Sequence, residues 1–266
     1  MGRVKLRVTL LAAPQAPENT VAMAARLCYS GATICELKEK IEAKDQQAFI
    51  ERLTEMGHMS PVEHISFTFG VEGVSRALLA QITRHRIASF SVQSQRYVDQ
   101  TKGGFDYVLP PSIEALGQEA VEKYARQMET IASWYEEWVN ALGGGKESAR
   151  QDARFVLPNA AETKMMVTMN ARELIHFFRL RCCNRAQWEI RALAWAMLGL
   201  CLAKAPAVFG HAGPSCVMGE CSEGSMGCGR MDGVRKKHKE LWDFVQKHGN
   251  ETNFEESMSD WAIRNA

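Results

Sequence analysis

The chain is 266 residues long with a formal net charge of +1 and 24% charged residues, so no global field draws it onto nucleic acid or an anionic membrane, and any anion site must be local. The length allows one large domain or two small ones, either with a substantial buried core. Eight cysteines, two of them adjacent at Cys182-Cys183 and three in one Gly-rich loop, exclude the disulfide framework of a small secreted domain and predict reduced thiols in a cytoplasmic protein.

From Met1 to Leu10 apolar and polar residues alternate with period two, which predicts a strand and not a signal peptide. Pro17 to Tyr29 carries Val21, Ala24, Ala25 and Cys28 at helical spacing, with Asn19 or Thr20 as its cap. Cys35 to Met56 reads as an interrupted helical region stopped by Gly57, and Ile65 to Glu72 as a strand with one buried face. The period turns helical again from Val74 to Ile82. Phe105 to Leu109 is a short strand stopped by Pro110-Pro111. Gln118 to Leu142 is an amphipathic helix with Val121, Tyr124, Met128, Ile131 and Tyr135 on one side, ended by three glycines. Glu147 to Val156 should be helical, Met165 to Met169 a strand, and Ala171 to Leu180 and Trp188 to Ala203 helices. The last of these is apolar on most faces and therefore central, yet its apolar run, Ala192 to Leu202, is too short to span a membrane. Beyond Pro206 the chain turns Gly- and Cys-rich, then charged, with one short amphipathic helix expected after Val234. Strands set among long helices without regular alternation give an α+β chain.

The densest chemistry follows the helix that ends at Ile82. Arg84-His85-Arg86 is succeeded at fixed offsets by Ser89, Ser94 and Arg96. Three guanidiniums within thirteen residues repel one another unless an anion offsets the crowding, and phosphate matches their planar forks. Arg154, Arg172 and Arg181 add cations further along, and Asn170 opens a helix whose N-terminal amides favour an anion. No Gly-x-Gly-x-x-Gly follows a strand, and no Gly-x-x-x-x-Gly-Lys-Ser/Thr occurs. These absences argue against a P-loop hydrolase and a Rossmann dehydrogenase, and a flavin or nucleotide must be held largely by side chains.

Arg84-His85-Arg86-Ile87-Ala88-Ser89-Phe90-Ser91-Val92-Gln93-Ser94-Gln95-Arg96 resembles the signature of the flavin-dependent thymidylate synthases. Gly57-His58-Met59-Ser60-Pro61-Val62-Glu63-His64 resembles that family's flavin loop, and Asn170-Ala171-Arg172 through Arg181 to Gln187-Trp188-Glu189 its substrate region. The likeness runs from about Val4 to Ala203. It implies the thymidylate synthase complementing fold, a mixed, mainly antiparallel sheet packed with long helices, with residues 1–205 catalytic and 206–266 a Gly/Cys-rich loop and helical extension. It implies a homotetramer with FAD at subunit interfaces, and reductive methylation of dUMP to dTMP using methylenetetrahydrofolate and NADPH. On this resemblance His58, Ser60, Arg84, His85, Arg86, Val92, Asn170, Arg172 and His176 contact FAD, Val92 through its backbone. Gln81, Arg84, Gln93, Ser94, Gln95, Arg96, Arg154 and Arg181 hold dUMP. Arg181 has the catalytic part: a fixed cation at the uracil favours the ionised N3 form and raises electron density at C5.

Ser94 lacks a neighbouring His-Asp pair to activate it, so substrate hydrogen bonding is expected and not covalent attack. A rival thymidylate synthase chemistry attacks dUMP with a cysteine, but Cys182, Cys183 and Cys201 lie in helix-like surroundings and no Pro-Cys-His sequence is present. A second rival is a metal-organised binding module in which His211, Cys216, Cys221 and Cys228 supply four ligands, although their spacing departs from the usual close pairs. Reduced loop thiols without metal are the expected state. The basic run Arg235-Lys236-Lys237-His238-Lys239 is expected to be packed or solvated, with no nucleic-acid role.

Overall fold

A computed structural model describes residues 1–101 and 103–266. In chain order its elements are β1 (Arg3–Val4), β2 (Arg7–Ala12), α1 (Pro17–Leu27), α2 (Ile34–Glu42), α3 (Gln47–Glu55), β3 (Ser66–Ser75), α4 (Arg76–Ile82), β4 (Ala88–Val92), β5 (Tyr107–Val108) and α5 (Pro111–Glu114). There follow α6 (Gln118–Ala141), α7 (Glu147–Ala153), β6 (Glu162–Asn170), α8 (Ala171–Arg181), α9 (Trp188–Lys204), α10 (Pro206–Phe209), α11 (Met231–His248) and α12 (Phe254–Asn265). The sheet order is β2-β3-β6-β4. Thr68 Oγ1 meets Thr168 Oγ1 at 2.9 Å while Gly73 N donates to Glu162 Oε1 at 3.0 Å, so β3 and β6 run antiparallel. The class is α+β, as composition and pattern indicated.

The chain forms two compact units, one of Met1–Arg7, Val71–Arg84 and Phe90–Met166, the other of Val8–Gly70, His85–Ser89 and Val167–Ala266. In the first unit, β1 pairs in parallel with β5, Arg3 opposite Tyr107 and Val4 opposite Val108. The N-terminal alternation is therefore split into two strands, and the break at Lys5-Leu6 has a local cause. Gly73 sits at φ 69° with its α-carbon against the Lys5 carbonyl, and a Cβ there would lie 1.9 Å from that oxygen. Only glycine permits this approach. Phe105, Tyr107, Met128 and Ala161 form one apolar cluster of this unit, and Tyr135, Val139 and Ala153 another, both fed by the apolar side of α6.

In the second unit α9 is the central element, every residue from Ala192 to Leu202 being buried. Helices α8, α10, α11 and α12 pack against it. Helix α1 begins at Pro17 with Ala16 as an uncapped N-cap, in place of the expected Asn19 or Thr20 cap. Proline at the first position has a preset φ and lacks only an N–H that would have no helical partner. Thr33 and Glu36 close a reciprocal capping box at the start of α2. The Cys35 to Met56 pattern is interrupted at residues 43–46, where buried Gln46 donates through Nε2 to Ile41 O at 3.0 Å and Lys44 O at 2.9 Å.

The charged tail forms two helices where one was expected. Phe254, Met258, Trp261 and Ala262 are buried and lie on one face of α12. This helix also serves the sheet edge: Ser259 Oγ accepts from Val8 N at 3.1 Å, and Glu255 Oε1 from Leu10 N at 3.0 Å. Residues i and i+2 of an edge strand present their N–H groups on the same side, so two acceptors one helical turn apart satisfy both. Strand β4 was not foreseen, although Ala88, Phe90 and Val92 alternate with the exposed Ser89 and Ser91. The charged motif surrounding it masked that period. No helix among the described residues is long and apolar enough to cross a membrane.

Candidate functional site

The second unit brings together one group of the expected residues around α8. Asn170 ends β6 and caps α8, its Oδ1 accepting from Glu173 N at 2.9 Å. The backbone of Ala171 donates to Ile65 O at 2.9 Å, which ties the helix start to the entrance of β3. There Arg172 pairs with Glu63 of the 3-10 turn Pro61–His64. Just upstream, His58 and Ser60 line a cavity of about 530 Å³ together with Arg26, Tyr29, Phe49 and Pro61. His176 and Arg172 are exposed on α8, and Arg86 is exposed in the preceding segment.

Nine residues after Arg172, Arg181 ends the helix. Its Nε donates to His85 Nε2 at 3.2 Å, and His85 Nδ1 lies 2.9 Å from Glu173 Oε1. A guanidinium is only a donor, so Nε2 carries the lone pair, the imidazole proton sits on Nδ1, and that N–H donates to the Glu173 carboxylate. Burial holds the His85 imidazole below its ordinary value; the Glu173 hydrogen bond opposes this and the Arg181 charge reinforces it. His85 is therefore neutral at pH 7, only 5% exposed, and packed edge-on against Phe177. Both ring nitrogens of His85 are thus engaged inside the protein.

The first unit holds the remaining group. Gln93 N donates to Lys164 O at 2.8 Å and seats the start of the Ser94 turn on β6. Ser94 Oγ accepts from Arg96 N at 3.1 Å, and its carbonyl accepts from Val98 N at 3.1 Å. Arg96 pairs with Glu147, and its carbonyl accepts from Arg150 Nε at 2.8 Å. Its own Nε is buried without a hydrogen-bond partner. A buried orphan donor on a cation is costly and points to an anionic acceptor from outside the unit's own side chains. Arg154 opens the 3-10 turn Arg154–Val156 instead of lying inside a helix, because α7 ends at Ala153. It faces Arg76, whose guanidinium is held below its ordinary value by burial and by the Arg154 charge. Arg76 Nη1 donates to Thr163 Oγ1 at 3.0 Å. Gln81, Val92 and Gln95 are half-buried in this unit, Gln81 Nε2 donating to Ala77 O at 3.3 Å, and Arg84 is exposed.

Four polar residues of these groups were missed in the sequence: Glu173, Arg76, Glu147 and Arg150. Glu173 carried a weak signal as a carboxylate one residue after Arg172 at a helix start, where acids ordinarily serve only the dipole. The other three read as surface charges until the fold supplies their partners.

Cys182 and Cys201 are unsuited to the rival's nucleophilic role. Cys182 and Cys201 are fully buried, and burial pushes both thiols well up, away from thiolate. Cys183, Cys216, Cys221 and Cys228 line a cavity of about 440 Å³ with Arg179, Arg181 and Arg185. His211 instead faces Glu55 at 3.7 Å. Among the described residues no three His, Cys, Asp or Glu side chains are grouped to hold a metal ion.

Comparison with known proteins accords with this geometry. The family model "Thymidylate synthase complementing protein" matches residues 9–207. The chain is 50% identical over 236 residues to a flavin-dependent thymidylate synthase of Geobacter sulfurreducens, covering 89% of this chain and 99% of that one. It is 49% identical over 241 residues to the enzyme of Nitratidesulfovibrio vulgaris, with 86% and 97% covered, and 40% identical over 248 residues to that of Pyrococcus furiosus, with 90% and 98% covered. Matched over most of its length, the chain belongs to the flavin-dependent thymidylate synthases, FAD enzymes of dTMP biosynthesis.

Proposed function

We propose that this chain methylates dUMP to dTMP with Arg181 as the residue that activates the uracil ring. The observation that carries this reading is the mounting of Arg181, whose guanidinium is held through Nε by a buried, neutral histidine at the end of a rigid helix. A cation fixed in that way favours the N3-ionised pyrimidine without reorganising. Ionisation raises electron density at C5, which attacks the one-carbon unit of methylenetetrahydrofolate, so no protein nucleophile is required. The high-lying thiols of Cys182 and Cys201 agree with that.

The residues present fit a flavin dinucleotide. The amide end of the eleven-residue α8, with Arg172 in its first turn, suits a diphosphate, and the cavity beside His58 and Ser60 has the aromatic and aliphatic lining a flat ring needs. Arg84, Arg86, Asn170 and His176 complete the proposed FAD contacts, with Val92 contributing backbone only. Bound FAD, reduced by NADPH, supplies the hydride that completes the methyl group. Gln81, Arg84, Gln93, Ser94, Gln95, Arg96 and Arg154 are proposed to hold dUMP, and the orphaned Arg96 Nε and the facing Arg76–Arg154 pair support an anion in that unit. Ser94 is a turn-forming hydrogen-bonding residue in this scheme.

The proposed assembly is a cytoplasmic homotetramer with FAD at subunit interfaces, residues 1–205 forming the catalytic domain and 206–266 an extension. Light scattering on the purified protein checks the tetramer. The activity is tested by anaerobic, dUMP-dependent oxidation of the reduced FAD enzyme, with and without methylenetetrahydrofolate, in wild type and Arg181→Ala. The variant should retain flavin and lose dTMP formation; unchanged turnover defeats the assignment.

A further inference from the structure

We infer that Glu173 and His85 form a buried positioning relay that aims Arg181, and that Glu173 acts by fixing the tautomer of His85. The inference rests on the reading of Arg181 as the uracil-activating residue. His85 touches no reacting atom in this scheme and is a positioning residue, as is Glu173.

The chain of bonds leaves one consistent proton arrangement. Glu173 Oε1 and Arg181 Nε lie on opposite edges of the His85 ring, at 2.9 and 3.2 Å from Nδ1 and Nε2. With the proton on Nδ1, both contacts are favourable; with it on Nε2, an N–H points at the Arg181 N–H while Nδ1 faces a carboxylate lone pair. The side chains of His85 and Glu173 are 4% and 9% exposed, so water cannot repair the wrong arrangement. The titratable and charged groups that act on His85 are Glu173, His176 and Arg181, all from α8, with Arg84 and Arg86 flanking it in sequence. Glu173 alone among these is a carboxylate. It is also anchored twice, its backbone N–H bound to the Asn170 cap and its carboxylate to His85, so β6, α8 and the Arg-His-Arg segment are locked at one point. Bonding through Nε sets the guanidinium plane by an edge other than its Nη1–Nη2 edge, the one suited to a bidentate partner.

The test uses Glu173→Gln and Arg181→Lys, singly and together, as FAD-loaded full-length enzymes. The carboxamide of Glu173→Gln can either accept from or donate to Nδ1, so the charge that fixes the Nδ1–H form is lost and the Nε2–H tautomer that opposes Arg181 becomes populated. The expected loss in single-turnover dTMP formation is about 10- to 100-fold, the range for misplacing a reacting group by about an ångström, with KM for dUMP changed far less. Arg181→Lys keeps a charge but lacks the Nε–H, so adding Glu173→Gln to it should cost less than about twofold if the effect passes only through that bond. A merely structural Glu173 would lower both backgrounds equally. Nitrogen NMR of labelled histidine, which does not depend on activity, should report Nδ1–H for His85 in wild type and its loss in Glu173→Gln. Full activity in Glu173→Gln, equal losses in both backgrounds, or an unchanged tautomer overturns the relay. If Arg181→Ala itself turns over normally, the reading of Arg181 fails instead, which the NMR result leaves untouched.

Discussion

Replacing Ser259 with Ala isolates what α12 does for the sheet. The hydroxyl accepts from Val8 N at 3.1 Å and donates to Glu255 O at 2.9 Å, and both Val8 and Ser259 are 1% exposed. Deleting it leaves the Val8 N–H buried and unpaired, which costs about 1–3 kcal/mol. Alanine's better helix propensity returns at most about 0.5 kcal/mol, and the space lost is a single oxygen. The net loss is therefore about 1–2 kcal/mol, a shift of about 2–8 °C in Tm for a chain of this size. Calorimetry at fixed protein concentration measures it, and amide exchange at Val8 locates it. Glu255→Ala should cost less, because Glu255 is only half-buried and water can replace its carboxylate at Leu10 N. An unchanged Tm with Val8 still protected would refute the role assigned to α12 as cover for the β2 edge.

Gly73→Ala should unfold or strongly destabilise the first unit, since φ 69° and a 1.9 Å contact with the Lys5 carbonyl leave no relaxed position for Cβ; about 2–4 kcal/mol is expected, read by urea unfolding. Stability should fall in mild acid. His85 and His238 are both held below the ordinary imidazole value of 6.5, chiefly by burial, so the unfolded chain protonates first; their contribution is complete above about pH 6.5 and is lost as pH falls through the folded values, which His85→Gln with His238→Gln should flatten in a Tm–pH series. Under native conditions iodoacetamide should label the exposed Cys28, Cys35 and Cys228 and leave Cys182 and Cys201 intact until the protein is unfolded, as peptide mass spectrometry would show; early labelling of Cys201 contradicts its burial.

Much of the fold and most of the candidate site can be read from local pattern, because hydrophobic period and stop residues act over a few positions. The amphipathic α6, the apolar α9, the alternation of β3 and the Gly57 stop needed no partner to be legible. The Arg-His-Arg motif and its downstream Ser94 and Arg96 were legible for a different reason, that their chemistry is concentrated in a short segment. Where local rules competed, tertiary context won. Helix α1 takes Pro17 in place of a side-chain cap, β3 runs on to Ser75, and β4 forms inside a motif dominated by charge.

The sequence by itself determined that this is an α+β member of the flavin-dependent thymidylate synthases, with cations and hydroxyls set out for anionic ligands. Only the tertiary structure decided which of those groups are bound internally: that Arg96 meets Glu147, that α12 covers Val8 and Leu10, and that Glu173 and His85, 88 residues apart, meet Arg181 in one buried chain. The physical reason is that a side chain's charge and period are properties of its own segment. Its hydrogen-bond partner and its exclusion from water come from packing between distant segments, and those two quantities hold the His85 imidazole below its ordinary value and place it between Glu173 and Arg181.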